Sequence, residues 1–294
     1  MALLGVAALL LMAILASVVI FFLQTGWSHR RSGFSTERIR EDLTDVLHKS
    51  RLSEADYELL FQQTGLAPAA VDDLLQQGEA GRETILETQE GFFTAPRARC
   101  VPLLGGRLTC QDLLQSETGE PVYGVPLAPL QEGDILLSFS THTLGWHHGH
   151  AGLVIDPARG AVLEAVQPGI NSYAARVDHW RSYANFLVLR VRDVSAELCR
   201  QVADFANRKL RDVPYSLLPG LIGPKTQPVE EGPGIHCAYL PWYAWNHAGV
   251  DLDANGGRIV TVGDLARSPE LEVVQVFGMD PALLANRQST SASF

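Results

Sequence analysis

From Gln131 to Phe277 the chain is cut into short apolar runs, and this cutting restricts the fold more than any other feature. Ile135–Phe139, Ala151–Ile155, Ala161–Ala165, Phe186–Val191 and Leu271–Phe277 are five to seven residues long, each bounded by Gly, Pro or Asp. Runs of that length are strands rather than helices, and their spacing predicts a mostly antiparallel sheet. Two helices are expected with it. Ser195 is a suitable N-cap for a helix carrying Leu198, Val202, Phe205 and Ala206 on one side. After a Gly/Pro-rich loop from Pro219 to Gly234, a second is expected from about Cys237 to Ala248.

Upstream, the texture is different. Ser35 to about Gln89 reads as a small helical module. Ser35 or Thr36 is a plausible cap for Ile39, Leu43, Val46 and Leu47. A second helix begins near Ser53 and stops at Thr64-Gly65; Pro68 suits the first turn of a third, which Gly78 ends. A spacer role is the simplest reading. Cys100 and Cys110 then flank a Gly105-Gly106 turn, so a hairpin closed by a disulfide and a pair of unrelated thiols are both open. Pro121 to Pro129 reads as a linker.

Ala2 to Leu23 holds no charged residue and is long enough for a helix to cross a bilayer. Phe21-Phe22-Leu23 stands where a signal peptide needs small residues, so a retained single-pass anchor is expected. The membrane lipid would then be one partner. His29, Arg30 and Arg31 after the anchor argue by the positive-inside rule for a cytoplasmic domain. A cell-wall substrate and a disulfide argue for an extracytoplasmic one, which is the expectation kept. The resulting plan is α+β: anchor 1–27, helical module 28–95, hairpin and linker 96–130, main domain 131–280 and a flexible tail 281–294. A formal net charge of -10, without a basic patch, excludes nucleic acid as an expected partner.

Of the four cysteines, Cys237 is the candidate nucleophile. It follows Gly232-Pro233-Gly234 and enters the aromatic run Tyr239, Trp242, Tyr243 and Trp245. That places a thiol at a helix N-terminus, where the dipole favours a thiolate. Cys199 falls among core positions and reads as a buried thiol. His150 opens the Ala151–Ile155 strand and is the candidate base. Glu164 is in the next strand, within reach of an imidazole if the two strands pair; a solvent-facing carboxylate is the alternative.

Together the segments "EGDILLSF", "HAGLVID", "LEA", "PYS" and "HCAYLPWYAW" resemble the YiiX/YebB-like branch of the NlpC-type papain-like cysteine hydrolases. The resemblance spans about Gln131 to Phe277. It implies a circularly permuted papain-like domain with an antiparallel sheet packed on helices. It also implies Cys237 as nucleophile, His150 as base, Glu164 as orienting acid, and Tyr215 lining the site as an oxyanion donor. Neither cofactor nor metal is part of that chemistry. Relatives often carry Ser and Glu after the cysteine where this chain has Ala238 and Tyr239, which bears on substrate choice.

The expected activity is thiol-dependent cleavage of an amide in cell-wall peptides. A lipid thioesterase or acyltransferase of the same fold is one alternative, and a non-catalytic peptide or glycan binder is another. A zinc site built from His147, His148 and His150 is a rival, but neighbouring residues on a strand point to opposite faces. His147 and His148 therefore read as loop residues beside the cleft.

Overall fold

A computed structural model describes residues 11–12, 14–16, 36, 38–94, 97–102, 109–143 and 146–281. Its helices are α1 (Thr44–Leu47), α2 (Glu54–Thr64), α3 (Pro68–Leu75), α4 (Glu79–Phe93), α5 (Ala196–Lys209), α6 (Tyr239–His247) and α7 (Val262–Ala266). Its strands are β1 (Arg97–Pro102), β2 (Thr109–Gln115), β3 (Ile135–Ser138), β4 (Thr141–Thr143), β5 (His150–Asp156), β6 (Ala161–Glu164), β7 (Tyr173–Arg176), β8 (Phe186–Val191) and β9 (Leu271–Phe277). Six strands form one antiparallel sheet in the order β7-β6-β5-β3-β8-β9, and β1-β2-β4 form a second. The α+β class with antiparallel sheets is as expected.

The strands read as continuous apolar runs because the large sheet is buried on both faces. Ile135, Leu137, Leu153, Leu163, Leu187 and Leu189 pack with Val202 and Ala206 of α5 and Trp242 and Trp245 of α6. Leu136, Val154, Val162, Phe186 and Val188 pack with Leu60, Ala70, Val71 and Ile85 of the helical module. A half-solvated sheet would instead alternate polar and apolar residues.

The helical module is thus one wall of the core, which corrects the spacer reading. It is stitched to β9: Ala67 donates its backbone N–H to Val274 O at 2.9 Å, and Val276 donates to Gly65 O at 2.8 Å. Arg190 of β8 forks onto buried Asp134, Nε to Oδ1 at 2.8 Å and Nη2 to Oδ2 at 2.9 Å, and lies 3.7 Å from Asp73 of α3. The caps follow the local chemistry. Ser53 and Asp56 form a reciprocal capping box at α2, and Pro68 opens α3. The first expected helix shrinks to α1. Ile39 is 86% exposed, so its apolar side chain contributes nothing to an amphipathic face.

The anchor requires correction. Among the described residues no helix is long and apolar enough to cross a membrane. Of Ala2–Leu23, only Leu11, Met12, Ile14, Leu15 and Ala16 are described; they are helical and exposed, and the rest lies outside the described residues. A single-pass anchor holding the catalytic domain outside the cytoplasm is therefore not supported. The tail from residue 282 and the Gly105-Gly106 turn also lie outside the described residues.

β1 and β2 form the expected hairpin, and Cys100 and Cys110 are joined as a disulfide with their Cα atoms 5.5 Å apart. Cys199 is buried in the core against the sheet, and burial pushes its thiol pKa up.

Candidate active site

The site forms where the end of the large sheet meets the start of α6. β5 begins at His150, directly after Gly149, whose φ of +78° places it in the left-handed region. A Cβ on Gly149 would lie 2.6 Å from Ser138 O, so the turn that aims His150 demands glycine. β5 and β6 pair antiparallel with Gly152 opposite Glu164. Side chains two residues apart share a face, so this register brings His150 and Glu164 together. Gly152 leaves the room between them: a Cβ there would meet Val162 Cγ2 at 2.7 Å and Trp180 at 3.1 Å. The His150 ring stacks on Trp180, with centroids 5.3 Å apart and planes 14° from parallel.

His150 Nε2 lies 2.9 Å from Glu164 Oε1. The carboxylate accepts, so Nε2 carries the hydrogen and Nδ1 is the nitrogen left for the thiol. His150 is hydrogen-bonded to Cys237. Cys237 is in the turn just ahead of α6, which the Leu240 N–H to His236 O bond at 3.0 Å closes. It is partly exposed, unlike Cys199.

The electrostatics are those of an ion pair. Burial would raise the Cys237 pKa, but hydrogen bonds from His150 and then His236 overcome it and hold the thiol at about 5. Burial would lower that of His150, but Cys237 and Glu164 raise it to about 10. Burial would also raise Glu164, yet the hydrogen bonds from His150 and His179 hold it at about 2. A thiolate, an imidazolium and a carboxylate therefore coexist at neutral pH. Each offsets the desolvation of the next.

Tyr215 is held beside Cys237 by a parallel bridge to Ile235, with Ile235 N–H donating to Pro214 O at 2.9 Å. Burial and the Cys237 charge both raise its pKa, so the phenol stays protonated and can donate. All four expected residues, Cys237, His150, Glu164 and Tyr215, thus gather in one place.

Two further histidines were not legible. His179 Nε2 lies 3.3 Å from Glu164 Oε1, while its Nδ1 donates to Arg176 O at 2.6 Å. It sits in the 3-10 turn Val177–Ser182, and no local pattern marks it. His236 is buried beside Cys237 and accepts the Tyr239 N–H at Nδ1, 3.3 Å away. Its adjacency to Cys237 was the available signal.

The expected rival chelate does not assemble. His150 serves Glu164 and Cys237, and His148 contacts Thr143 Oγ1 and Gly149 O, each at 3.0 Å. His147 turns toward His142, with ring centroids 4.7 Å apart. Burial lowers the His148 pKa, so it flanks the site as a neutral ring.

No family model matches the chain, and no curated protein matches it. A crystal structure described as the metalloprotein yiiX from Escherichia coli O157:H7 is similar at 16% identity, covering 50% of this chain and 97% of that one, with a TM-score of 0.39. Likeness at that level bears neither on the circular permutation nor on the chemistry of the site.

Proposed function

We propose that the protein is a thiol-dependent hydrolase acting through Cys237, His150 and Glu164. The observation that carries this reading is the continuous relay from carboxylate to imidazole to a thiol held at about 5. The Cys237 thiolate attacks the carbonyl carbon of the scissile bond. The developing oxyanion is met by the Tyr215 hydroxyl and by backbone N–H groups of the turn entering α6. The His150 imidazolium gives its proton to the leaving group, and a thioester remains on Cys237. Now neutral, His150 takes a proton from water, whose oxygen attacks the thioester. The acid product leaves, and the thiolate–imidazolium pair is restored. Glu164 keeps the imidazole in its orientation and compensates its charge.

The first substrate reading is an amide in cell-wall peptides. A second is an acyl-lipid, favoured by the loop after Tyr215: Leu217, Leu218, Leu221 and Ile222 are 61%, 41%, 49% and 59% exposed. Ser216 N–H bonds Ile235 O at 2.8 Å, so this apolar lip starts two residues from the nucleophile in the paired segment. Exposed apolar residues concentrated beside a reactive thiol suit an acyl chain. The test is incubation of the protein and its C237S variant with peptidoglycan fragments and with acyl-lipids, read by mass spectrometry. Cys237-dependent products are expected. Turnover by C237S equal to that of the parent would end the proposal.

A further inference from the structure

The turn after β7 brings a second imidazole onto the carboxylate that orients His150. β6 and β7 pair with Glu164 opposite Tyr173 and Ala161 opposite Arg176. The chain then tightens into the 3-10 turn Val177–Ser182, whose Trp180 is fully buried against the His150 ring. Burying Trp180 sets the residue before it at the rim of the site. His179 is held there from both sides. Ser182 Oγ donates to the His179 carbonyl at 2.6 Å, and the His179 ring lies 5.8 Å from that of Trp180 and 5.6 Å, edge-on, from that of Tyr183.

Hydrogen bonding fixes how many protons this ring needs. Nδ1 is 2.6 Å from Arg176 O, and a carbonyl only accepts, so Nδ1 carries a hydrogen. Nε2 is 3.3 Å from Glu164 Oε1, the same oxygen that His150 Nε2 reaches at 2.9 Å. Glu164 is ionised and only accepts as well. A neutral ring has one hydrogen for these two acceptors, and its Nε2 lone pair would face a buried carboxylate. The imidazolium satisfies both. Exposure changes along the relay: the side chains of Glu164 and His150 are 1% and 6% exposed, and that of His179 is 38% exposed. His179 is therefore where protons from solvent reach Glu164. Burial opposes its charged form, but Glu164 outweighs burial and raises its pKa. Around it stand Glu164 of β6, His150 of β5 with Cys237 beyond, Tyr173 of β7, and Tyr183. Burial raises the pKa of both phenols, so neither changes charge near neutrality. Arg176 and Asp178 pair with each other at 2.9 Å.

We infer that His179 is a positioning residue: as an imidazolium it pins Glu164 Oε1 against His150, and on losing its proton it releases the carboxylate. The effect on turnover rests on the hydrolase reading, whereas the His179–Glu164 bond does not. The hold is complete below the ordinary His pKa and is lost as pH rises through the raised folded-state value. Turnover should then step down on the alkaline side of neutrality, apart from the His150 limb at about 10.

The test uses the full chain carrying isotope-labelled histidine, titrated by NMR. The His179 signal, assigned by its loss in H179Q, should show hydrogen on both nitrogens at neutral pH, a reading that needs no variant to fold. Its midpoint should fall back toward 6.5 in E164Q. A lone pair on Nε2 at neutral pH, or a midpoint that E164Q leaves unmoved, would overturn the assignment. Turnover is followed with p-nitrophenyl acetate. H179F offers no donor and should lower kcat at every pH with KM unchanged. H179Q, whose amide donates to Glu164 without titrating, should recover kcat and lose the alkaline step. The same kcat and pH profile in all three proteins would also overturn it. If the NMR result holds but the ester does not acylate wild-type Cys237, the failure lies with the hydrolase reading, and the positioning role falls with it while the bond remains.

Discussion

Replacing His150 by Gln isolates the ion pair, because the amide can still hydrogen-bond Glu164 but carries no charge. In the wild type the thiol sits at about 5 and the imidazole at about 10. A group with a midpoint of about 5 is more than nine-tenths thiolate at pH 6.5 and stays so at pH 8.5. The rate of alkylation by iodoacetamide should therefore be nearly flat across that interval. Without the imidazolium, the thiol returns toward the ordinary ~8.5, which leaves roughly 1% thiolate at pH 6.5 and half at pH 8.5. The rate for H150Q should then rise roughly 50-fold over the same two units. The slope within each protein is the proper readout, because a less acidic thiolate is intrinsically more nucleophilic and absolute rates would mix the two effects. Peptide mapping assigns the adduct to Cys237 rather than Cys199. If the proposed hydrolysis runs through this pair, its rate should follow a bell with limbs at about 5 and about 10. A wild-type alkylation rate that climbs tenfold per pH unit from 6.5, matching H150Q, would refute the preformed pair.

Other outcomes are expected. Y215F should lower kcat by roughly 10²-fold or more if the hydroxyl meets the oxyanion, while the alkylation profile stays flat; unchanged turnover would remove Tyr215 from the chemistry. Glu164 has a folded-state pKa below its unfolded value of 4.5, held at about 2. Its stabilisation is present above pH 4.5 and is lost as pH falls toward about 2, so acid unfolding in that window should be steeper in the wild type than in E164Q, followed by circular dichroism. Deleting residues 1–95 should expose Leu136, Val154, Phe186 and Val188, giving a fragment that binds hydrophobic dye and aggregates. A monomeric, cooperatively melting fragment would restore the spacer reading.

Strand and helix identities were legible because they depend on local spacing. The runs at Ile135, Ala151, Ala161, Phe186 and Leu271 became β3, β5, β6, β8 and β9, and Ser195 caps α5 through the Leu198 N–H at 3.2 Å. β4 and β7 were missed, because they are short and partly polar. His150 and Cys237 were also legible, since each sits at an element boundary where chain chemistry changes, a strand start and a helix start; Tyr215 came only with the family resemblance, and Glu164 stayed open against a solvent-facing carboxylate. Their charge states were not, because a pKa depends on burial and on partners distant in sequence. His179 meets Glu164 only because β6, β7 and the following turn fold back on themselves.

Sequence alone therefore determined most of the large sheet's strands, the helix capped by Ser195, and the candidate thiol and base, while the Cys100–Cys110 bond was left open until the structure joined them. Only the tertiary structure decided that the helical module is a core wall, that Glu164 faces His150 rather than solvent, and that His147 parts from His148 and His150 to join Asp112 and His142. Local spacing is written along one dimension. Which faces are covered, and which buried charges meet, depends on contacts closed across long stretches of chain.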